Sequence, residues 1–199
     1  DLCNKIEKLV YLPGYKISEN ELCKQYGVSR HIIRTAISRL KERTLLTVYP
    51  QRGTFVSLID MKAVELILFI RESVEQEAIR LLQFEKQEVR DRMSEAMKAC
   101  IERQRTAISE NIDMDAFYLL DNEFHGCLLE AVGKKDVMEI IREDYIHFRR
   151  WRNFYVVRSG RQREIIEEHT ALMHALVKNE TKEAHEILHM HLSTENRLR

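Results

Sequence analysis

The placement of proline along this 199-residue chain limits its possible folds more than any other feature. Pro13 and Pro50 are its two prolines, and none follows Pro50. From Asp60 onward, apolar residues recur every three to four positions, which is the spacing of one face of an α-helix. Because proline disrupts helix interiors, the proline-free stretch predicts a bundle of long helices over residues 60–199.

The first 59 residues instead combine short helical patterns with turn signals. A first helix is expected to end at Leu12, stopped by the proline and glycine that follow it. Residues 18–21 have the spacing of a capping box, in which a serine and a glutamate satisfy free backbone N–H groups at a helix start. This second helix should end at Gly27, since glycine readily takes the left-handed conformation found at helix ends.

A third helix and a hairpin complete this region. Ser29 is expected to cap a helix that runs from Arg30 to about Arg43, so a very short turn separates it from the second helix and predicts a helix-turn-helix. Residues 45–49 and 54–57 are β-rich and flank residues 50–53, which predicts a hairpin with a basic tip. The fold class is therefore mainly α: a winged helix-turn-helix over residues 1–59 and an all-helical antiparallel bundle over residues 60–199.

Charge is divided unevenly between the two regions. Residues 1–59 contain ten Lys/Arg against five Asp/Glu, while the whole chain has a formal net charge of zero. A basic N-terminal region and an acidic C-terminal region are typical of a protein in which one domain binds a polyanion. On the third helix and the hairpin tip, Ser29, Arg30, His31, Arg34 and Arg52 are expected to reach base edges and phosphates of double-stranded DNA.

The front region resembles the DNA-binding domain of the GntR family. The resemblance rests on residues 12–22, residues 27–30, Arg34 and residues 52–56. It implies operator recognition by Arg30, Arg34 and the wing glycine Gly53, and it places Thr54 in the same wing. His31 stands where the family more often has threonine, and Arg43-Thr44 replaces a glycine-containing turn.

The back region resembles the all-helical ligand-binding domain called FCD, found in the FadR-type branch of that family. The matching features are Asp121-x-x-Phe124-His125, Glu168-His169 and His191-Leu192. The resemblance implies a divalent metal held by one aspartate and three histidines, and a carboxylate effector that spans the metal and an arginine. The residues in these positions are Asp121, His125, His169 and His191.

Helical periodicity supports the same four residues independently. Asp121 and His125 are spaced i,i+4 beside an apolar face, and His169 and His191 fall within the apolar faces of their helices. His174, His185 and His189 point away from such faces. A buried aspartate is costly without a partner, so a metal ion is expected, and nitrogen and oxygen ligands suit Zn²⁺, Ni²⁺ or Mn²⁺ alike.

Two arginines share inward faces of their helices. Arg71 and Arg152 are candidate effector-binding residues, and Arg149 lies at the edge of the same arc as Arg152. The alternative is that they form internal salt bridges, for which Glu75 and Asp144 are the nearest candidates.

These features predict a transcriptional regulator, not an enzyme, that binds a near-palindromic operator as a homodimer. The regulator is expected to be a repressor that a small organic acid releases from the operator. The alternatives are a sensor that responds to the metal alone and a metallo-hydrolase with a DNA-binding attachment. The four cysteines form no C-x-x-C pair, and no apolar run reaches the roughly 18 residues that cross a bilayer. We therefore expect a cytoplasmic protein with no membrane partner.

Overall fold

The computed structural model describes residues 1–110, 114–141 and 145–195. Its N-terminal elements, in chain order, are α1 (Leu2–Glu7), β1 (Lys16–Ile17), α2 (Glu19–Tyr26), α3 (Arg30–Glu42), β2 (Leu46–Tyr49) and β3 (Gly53–Val56). The strands form one antiparallel sheet in the order β1-β3-β2. The predicted helix-turn-helix and hairpin are confirmed, and the short strand β1 adds an edge that the sequence did not reveal.

The predicted end of the first helix was wrong. α1 ends at Glu7, well before Leu12, because Leu9 adopts a left-handed φ of 59°. The Val10 N–H then donates to the Lys5 carbonyl at 2.9 Å, and the Leu9 N–H donates to Ile6 at 3.2 Å. This pair of bonds is the Schellman pattern that closes helices, formed here around a leucine and not a glycine.

Local signals set the ends of α2 and the start of α3. The Ser18 hydroxyl accepts a hydrogen bond from the Glu21 N–H at 3.3 Å, and Gly27 ends α2 with a φ of 63°. Ser29 occupies the N-cap of α3, but its side chain makes no capping hydrogen bond, contrary to the expectation. The three residues from Gly27 to Ser29 therefore separate the two helices of the helix-turn-helix.

α3 ends in a conformation that is unusual for its sequence. Thr44 has a φ of 58°, and the Leu45 N–H donates to the Leu40 carbonyl at 2.9 Å. A β-branched residue seldom takes this left-handed conformation. Thr44 thus adopts the left-handed conformation that ends the recognition helix, at a position where the family resemblance leads one to expect a glycine-containing turn.

The C-terminal region is built of longer helices. They are α4 (Met61–Leu82), α5 (Gln87–Ser109), α6 (Met114–Ala131), α7 (Tyr145–Ser159), α8 (Gln162–Val177) and α9 (Thr181–Glu195), with a 3-10 helix at Lys135–Ile141. α5 packs against α6 and α8, while α4 packs against α6, α7 and α9. Their inward faces form one hydrophobic core, which confirms the helical bundle.

α7 belongs to both regions. Its residues Phe148 and Trp151 lie in the core of the bundle, whereas Ile146 packs into the core of the winged helix-turn-helix beside residues such as Leu45 and Val56. Within the described ranges, no helix is both long and apolar enough to cross a membrane.

Candidate metal centre and nucleic-acid interface

Four potential metal ligands meet in the centre of the bundle. Asp121 and His125 come from α6, His169 from α8 and His191 from α9, and their ligand atoms all lie within 4.8 Å of one another. None of the four is more than 4% exposed. Their spacing follows from the i,i+4 pair on α6 and from the packing of α8 and α9 against the same core.

Each histidine of this cluster is oriented through its Nδ1 atom. Nδ1 of His125 lies 2.6 Å from Oε2 of Glu75, and Nδ1 of His191 lies 2.6 Å from Oε2 of Glu168. Nδ1 of His169 lies 3.0 Å from Oε1 of Gln104. A carboxylate or amide oxygen can only accept, so Nδ1 carries the proton in each ring and Nε2 is left as a lone-pair donor.

The three Nε2 atoms have no hydrogen-bond partner although they are buried. Nε2 of His169 lies 3.4 Å from Oδ1 of Asp121 without the geometry of a hydrogen bond. Buried polar atoms without partners are costly and therefore uncommon. The ligand atoms of the three rings and of Asp121 lie within 4.8 Å of one another, and each ring is fixed by an oxygen on its far side, which matches the arrangement found around protein-bound metals. The residues present thus fit a divalent ion.

The electrostatic state of the imidazoles agrees with this fit. Burial lowers the pKa of His169 to about 3, against the opposing effect of Asp121. Burial, and then Arg71, lower the pKa of His125. Both rings are therefore neutral at physiological pH, which is the form that binds metal ions.

The carboxylate of Asp121 is also held by two arginines. Arg152 donates to both of its oxygens, and Nη2 of Arg71 lies 3.1 Å from its Oδ2. Nε of Arg71 donates to Oε1 of Glu75 at 2.8 Å. Burial alone would raise the pKa of Asp121, but Arg152 and then Arg71 hold it well below its usual range.

Glu75 behaves in the same way. Burial opposes its ionisation, yet His125 and Arg71 together lower its pKa to about 2. Asp121 and Glu75 thus balance the charges of Arg71 and Arg152 beside the neutral rings of His125 and His169. Glu168, which contacts His191, is paired with Nη2 of Arg161 at 2.6 Å. The internal salt bridge predicted between Arg71 and Glu75 is present, whereas Asp144, the expected partner of Arg152, lies outside the described residues.

Arg149 differs from the other two candidate effector-binding arginines in its ion-pair partner. Its Nη1 is 2.9 Å from Oε2 of Glu7, a residue of α1. Its guanidinium carbon is 5.4 Å from the ring centroid of Tyr118, and that of Arg152 is 5.5 Å from the same ring. The structure therefore places Arg149 where the bundle meets the N-terminal region.

The candidate DNA-binding surface is formed by one face of α3 and the tip of the wing. Ser29, Arg30, His31 and Arg34 are exposed, and Nε of Arg34 lies 3.0 Å from Oε2 of Glu19. Ile32, which the sequence reasoning did not include, is 53% exposed beside them. This surface is basic and open, as a helix that enters a major groove must be.

The wing residues differ in their exposure. Arg52 is exposed at the tip, and Gly53 has a φ of 113°, with space for a Cβ limited by Cε of Lys16 at 3.1 Å. Thr54 is only 8% exposed, because it lies on the same face of β3 as the buried Val56. Its side chain is thus less accessible than that of Arg52.

Sequence reasoning missed the role of three residues that orient the imidazoles. Glu75 was considered only as a partner for Arg71, and Glu168 only as part of a motif. Gln104 was not singled out at all, although it is fully buried on α5. A polar residue on an otherwise apolar helix face was the available signal for Gln104.

Comparison with known families identifies both regions. Residues 1–56 match the family described as bacterial regulatory proteins, gntR family, and residues 66–194 match the FCD domain. The chain belongs to the gntR family. This gntR-family protein is a transcriptional regulator with a DNA-binding GntR domain and an FCD ligand-binding domain.

Curated relatives are also regulators. The chain is 27% identical over 185 residues to an HTH-type transcriptional regulator in an unstable DNA locus of Streptomyces ambofaciens, a match that covers 90% of this chain and 74% of the relative. It is 32% identical over 118 residues to the HTH-type transcriptional repressor RspR of Escherichia coli K12, covering 59% of this chain and 50% of that relative.

Solved structures share the fold of the gntR-family regulator. A GntR protein of Rhodococcus sp. RHA1 has a TM-score of 0.70 at 19% identity, covering 98% of this chain and 92% of that one. E. coli McbR/YncC has a TM-score of 0.63 at 20% identity, with coverage of 98% and 91%. The expected combination of a winged helix-turn-helix with a helical FCD domain is confirmed.

Proposed function

We propose that this regulator represses transcription by binding a near-palindromic operator as a homodimer, and that a divalent metal in the FCD domain takes part in its control. The two domains are proposed to span residues 1–59 and 60–199. The observation that carries the control hypothesis is the convergence of three buried, unpartnered Nε2 atoms beside Asp121. A cytoplasmic location follows from the proposed contact with operator DNA.

DNA recognition is proposed to use the exposed face of α3 and the wing. Arg30, His31 and Arg34 would contact bases in the major groove, and Arg52 would contact an adjacent groove or phosphates. Ser29 and Gly53 would contribute through the backbone or through close approach to the DNA. Phosphate contacts from the basic N-terminal domain would supply affinity that weakens steeply as salt rises.

The metal centre is proposed to be formed by Asp121, His125, His169 and His191. When bound, an ion of the Zn²⁺, Ni²⁺ or Mn²⁺ class would supply positive charge and open coordination positions for an anionic ligand. Because the apo site is balanced in charge, a divalent ion brings two unmatched positive charges into the core. A small carboxylate effector would offset them, with Arg71, Arg152 and Arg149 as the proposed guanidinium partners.

A second candidate is control by the metal alone. It is favoured by the ion pairs that Arg71 and Arg152 already make with Asp121 and Glu75. Because these carboxylates already neutralise both guanidinium groups, an added carboxylate is not needed to balance their charge. Operator affinity measured with zinc, with a chelator, and with zinc plus a panel of small mono- and dicarboxylates separates the two. A metal-only sensor responds to the first change and not to the carboxylates.

DNA binding itself is tested by Arg34→Ala. Because the Arg34–Glu19 pair is largely exposed, its loss should cost little stability, whereas the loss of a base contact costs about 1–3 kcal/mol of binding free energy. We therefore expect operator affinity to fall roughly 5- to 150-fold in a gel-shift titration with a selected operator. The matched control is Arg103→Ala, which removes an equally exposed arginine and its ion pair with Glu123 from the FCD domain. Equal affinities of the two variants would reject α3 as the recognition helix.

A further inference from the structure

Two buried arginines lie two residues apart on α7 and bind on opposite sides of it. Arg152 points into the bundle and holds both oxygens of Asp121. Arg150 points toward the N-terminal domain, where its Nη2 donates to the Ser57 carbonyl at 2.6 Å and its Nη1 to Ser57 Oγ at 3.2 Å. Neither arginine is more than 2% exposed. One helix thus touches the proposed metal ligand and the segment that follows the wing.

The outer side of α7 makes further contacts with the DNA-binding domain. His147 accepts the Asp60 N–H at its Nδ1 at 3.1 Å, and its Nε2 lies 2.9 Å from Oγ1 of Thr44. Asn153 donates to the Glu7 carbonyl at 3.2 Å. Thr44 is the left-handed residue that ends the recognition helix, so α7 is bonded directly to the turn that sets the position of α3.

The inner side of α7 binds the carboxylate that the metal site needs. Carboxylate ligands approach zinc to about 2.0–2.2 Å through an oxygen lone pair. Arg152 occupies both oxygens of Asp121, and Arg71 shares one of them. Oδ2 therefore accepts from both arginines, whereas Oδ1 accepts one bond from Arg152 and keeps a lone pair for an ion. An ion at Oδ1 would lie beside the guanidinium of Arg152 and share the same carboxylate charge, so the two cations weaken each other's hold on Asp121.

We propose that Arg152 and a divalent metal compete for Asp121, and that this competition couples the metal centre to the DNA-binding domain through α7. The inference rests on the proposed metal site and adds its route of regulation. Ligation of Asp121 weakens its hold on Arg152, which lets α7 shift against α6. The contacts of His147 and Arg150 carry that shift to Thr44 and Ser57, and hence to α3 and the wing.

Competition predicts that removing Arg152 strengthens metal binding. In Arg152→Gln, we expect zinc affinity, measured by competition with a chromophoric chelator, to rise about tenfold, a factor within the usual range of coupling between sites. Hydrogen exchange of the amides near Ser57 and Asp60 should change on zinc addition in the wild type and change much less in the variant. Unchanged or weaker zinc binding in a folded Arg152→Gln protein would overturn the proposal.

Arg152→Gln leaves a buried carboxylate with fewer partners, so a second variant leaves the metal site intact. Thr44→Gly suits the left-handed φ of 58° and deletes the hydroxyl that contacts His147. We expect zinc affinity without DNA to stay within about twofold of the wild-type value. Coupling is reciprocal, so the factor by which operator DNA changes zinc affinity should become smaller in Thr44→Gly, and the part that remains is carried by the Arg150–Ser57 contact. An undiminished factor would overturn the proposal.

The metal site and its coupling to the DNA-binding domain can be tested separately. A wild-type protein that binds no zinc, or binds it equally well after His169→Ala, contradicts the metal site itself. Zinc binding that needs His169 but ignores both Arg152→Gln and Thr44→Gly contradicts the coupling alone.

Discussion

The orientation of each imidazole in the metal centre is fixed by the hydrogen bond that its Nδ1 atom makes on the side away from the centre. Nδ1 of His169 is bound to Gln104, so the ring presents Nε2 to the centre in the neutral, metal-binding form. His169 also stacks on Phe124, with ring centroids 4.0 Å apart. Hydrogen bond and stacking together fix the ring before any ion arrives, which reduces the conformational entropy lost on binding.

Replacing His169 should therefore remove bound metal. We expect His169→Ala, dialysed against a small excess of zinc, to retain far less than the wild-type metal content by elemental analysis. The matched control is His174→Ala on the same helix, whose side chain is exposed and whose loss should leave the content unchanged. Full metal content in His169→Ala would reject the ligand set.

Helix ends and helix packing differed in how well the sequence predicted them. The end of α2 at Gly27 was foreseen because glycine itself is the signal, whereas α1 ended early at Leu9 because a leucine took the left-handed conformation. Such a choice depends on tertiary packing, here the burial of Ile6, and leaves no local pattern. The strand β1 was missed for the same reason, since its two residues become a strand only by pairing with β3.

The metal ligands could be selected from helical periodicity because each lies on or beside an apolar face of its own helix. The hydrogen bonds that hold these ligands could not be predicted in this way. Gln104 precedes His169 by 65 positions, and Arg152 meets Asp121 across 31 positions. Periodicity gives the direction of a side chain but not the helix opposite it, so the contact of Arg152 with Asp121 was not foreseen.

α7 also carries a titratable contact between the domains. Burial, and then Arg150, lower the pKa of His147, while Asp60 opposes them. The unfolded chain therefore binds this proton more readily than the folded protein does. The stabilising contribution of neutral His147 is complete above its ordinary pKa of about 6.5 and is lost as the pH falls from there toward the lower folded pKa.

We expect His147→Gln to lose less stability than the wild type between pH 7.5 and 5.5, because an amide can accept from the Asp60 N–H and donate to Thr44 without titrating. Denaturant unfolding of the metal-free proteins at several pH values measures this. His125 and His169, whose pKa values are also lowered, act in the same direction in both proteins, so the difference between the two curves isolates His147. Parallel curves would contradict the assignment.

At the scale of the whole molecule, the two regions differ in where their charged residues lie. The basic N-terminal domain presents an exposed arginine-containing helix, whereas the FCD domain buries a cluster that includes Arg71, Glu75, Asp121 and Arg152. The cores of the two domains meet at α7, through Ile146 on one side and Phe148 with Trp151 on the other. A movement of α7 would therefore alter the packing of both cores.

The enclosure of the four ligands bears on the rate at which an ion would leave. Since none is more than 4% exposed, a chelator has no direct access, and the helices must first part. We expect the loss of zinc, followed by stopped-flow absorbance, to reach a rate that no longer depends on chelator concentration. A rate that stays proportional to chelator would show an open path instead.

Slow release would give the regulator a memory. A protein that bound zinc while the ion was abundant would keep it after the zinc concentration fell, until the helices of the bundle next separated. Its occupancy would then follow the average supply over that lifetime and smooth out short fluctuations.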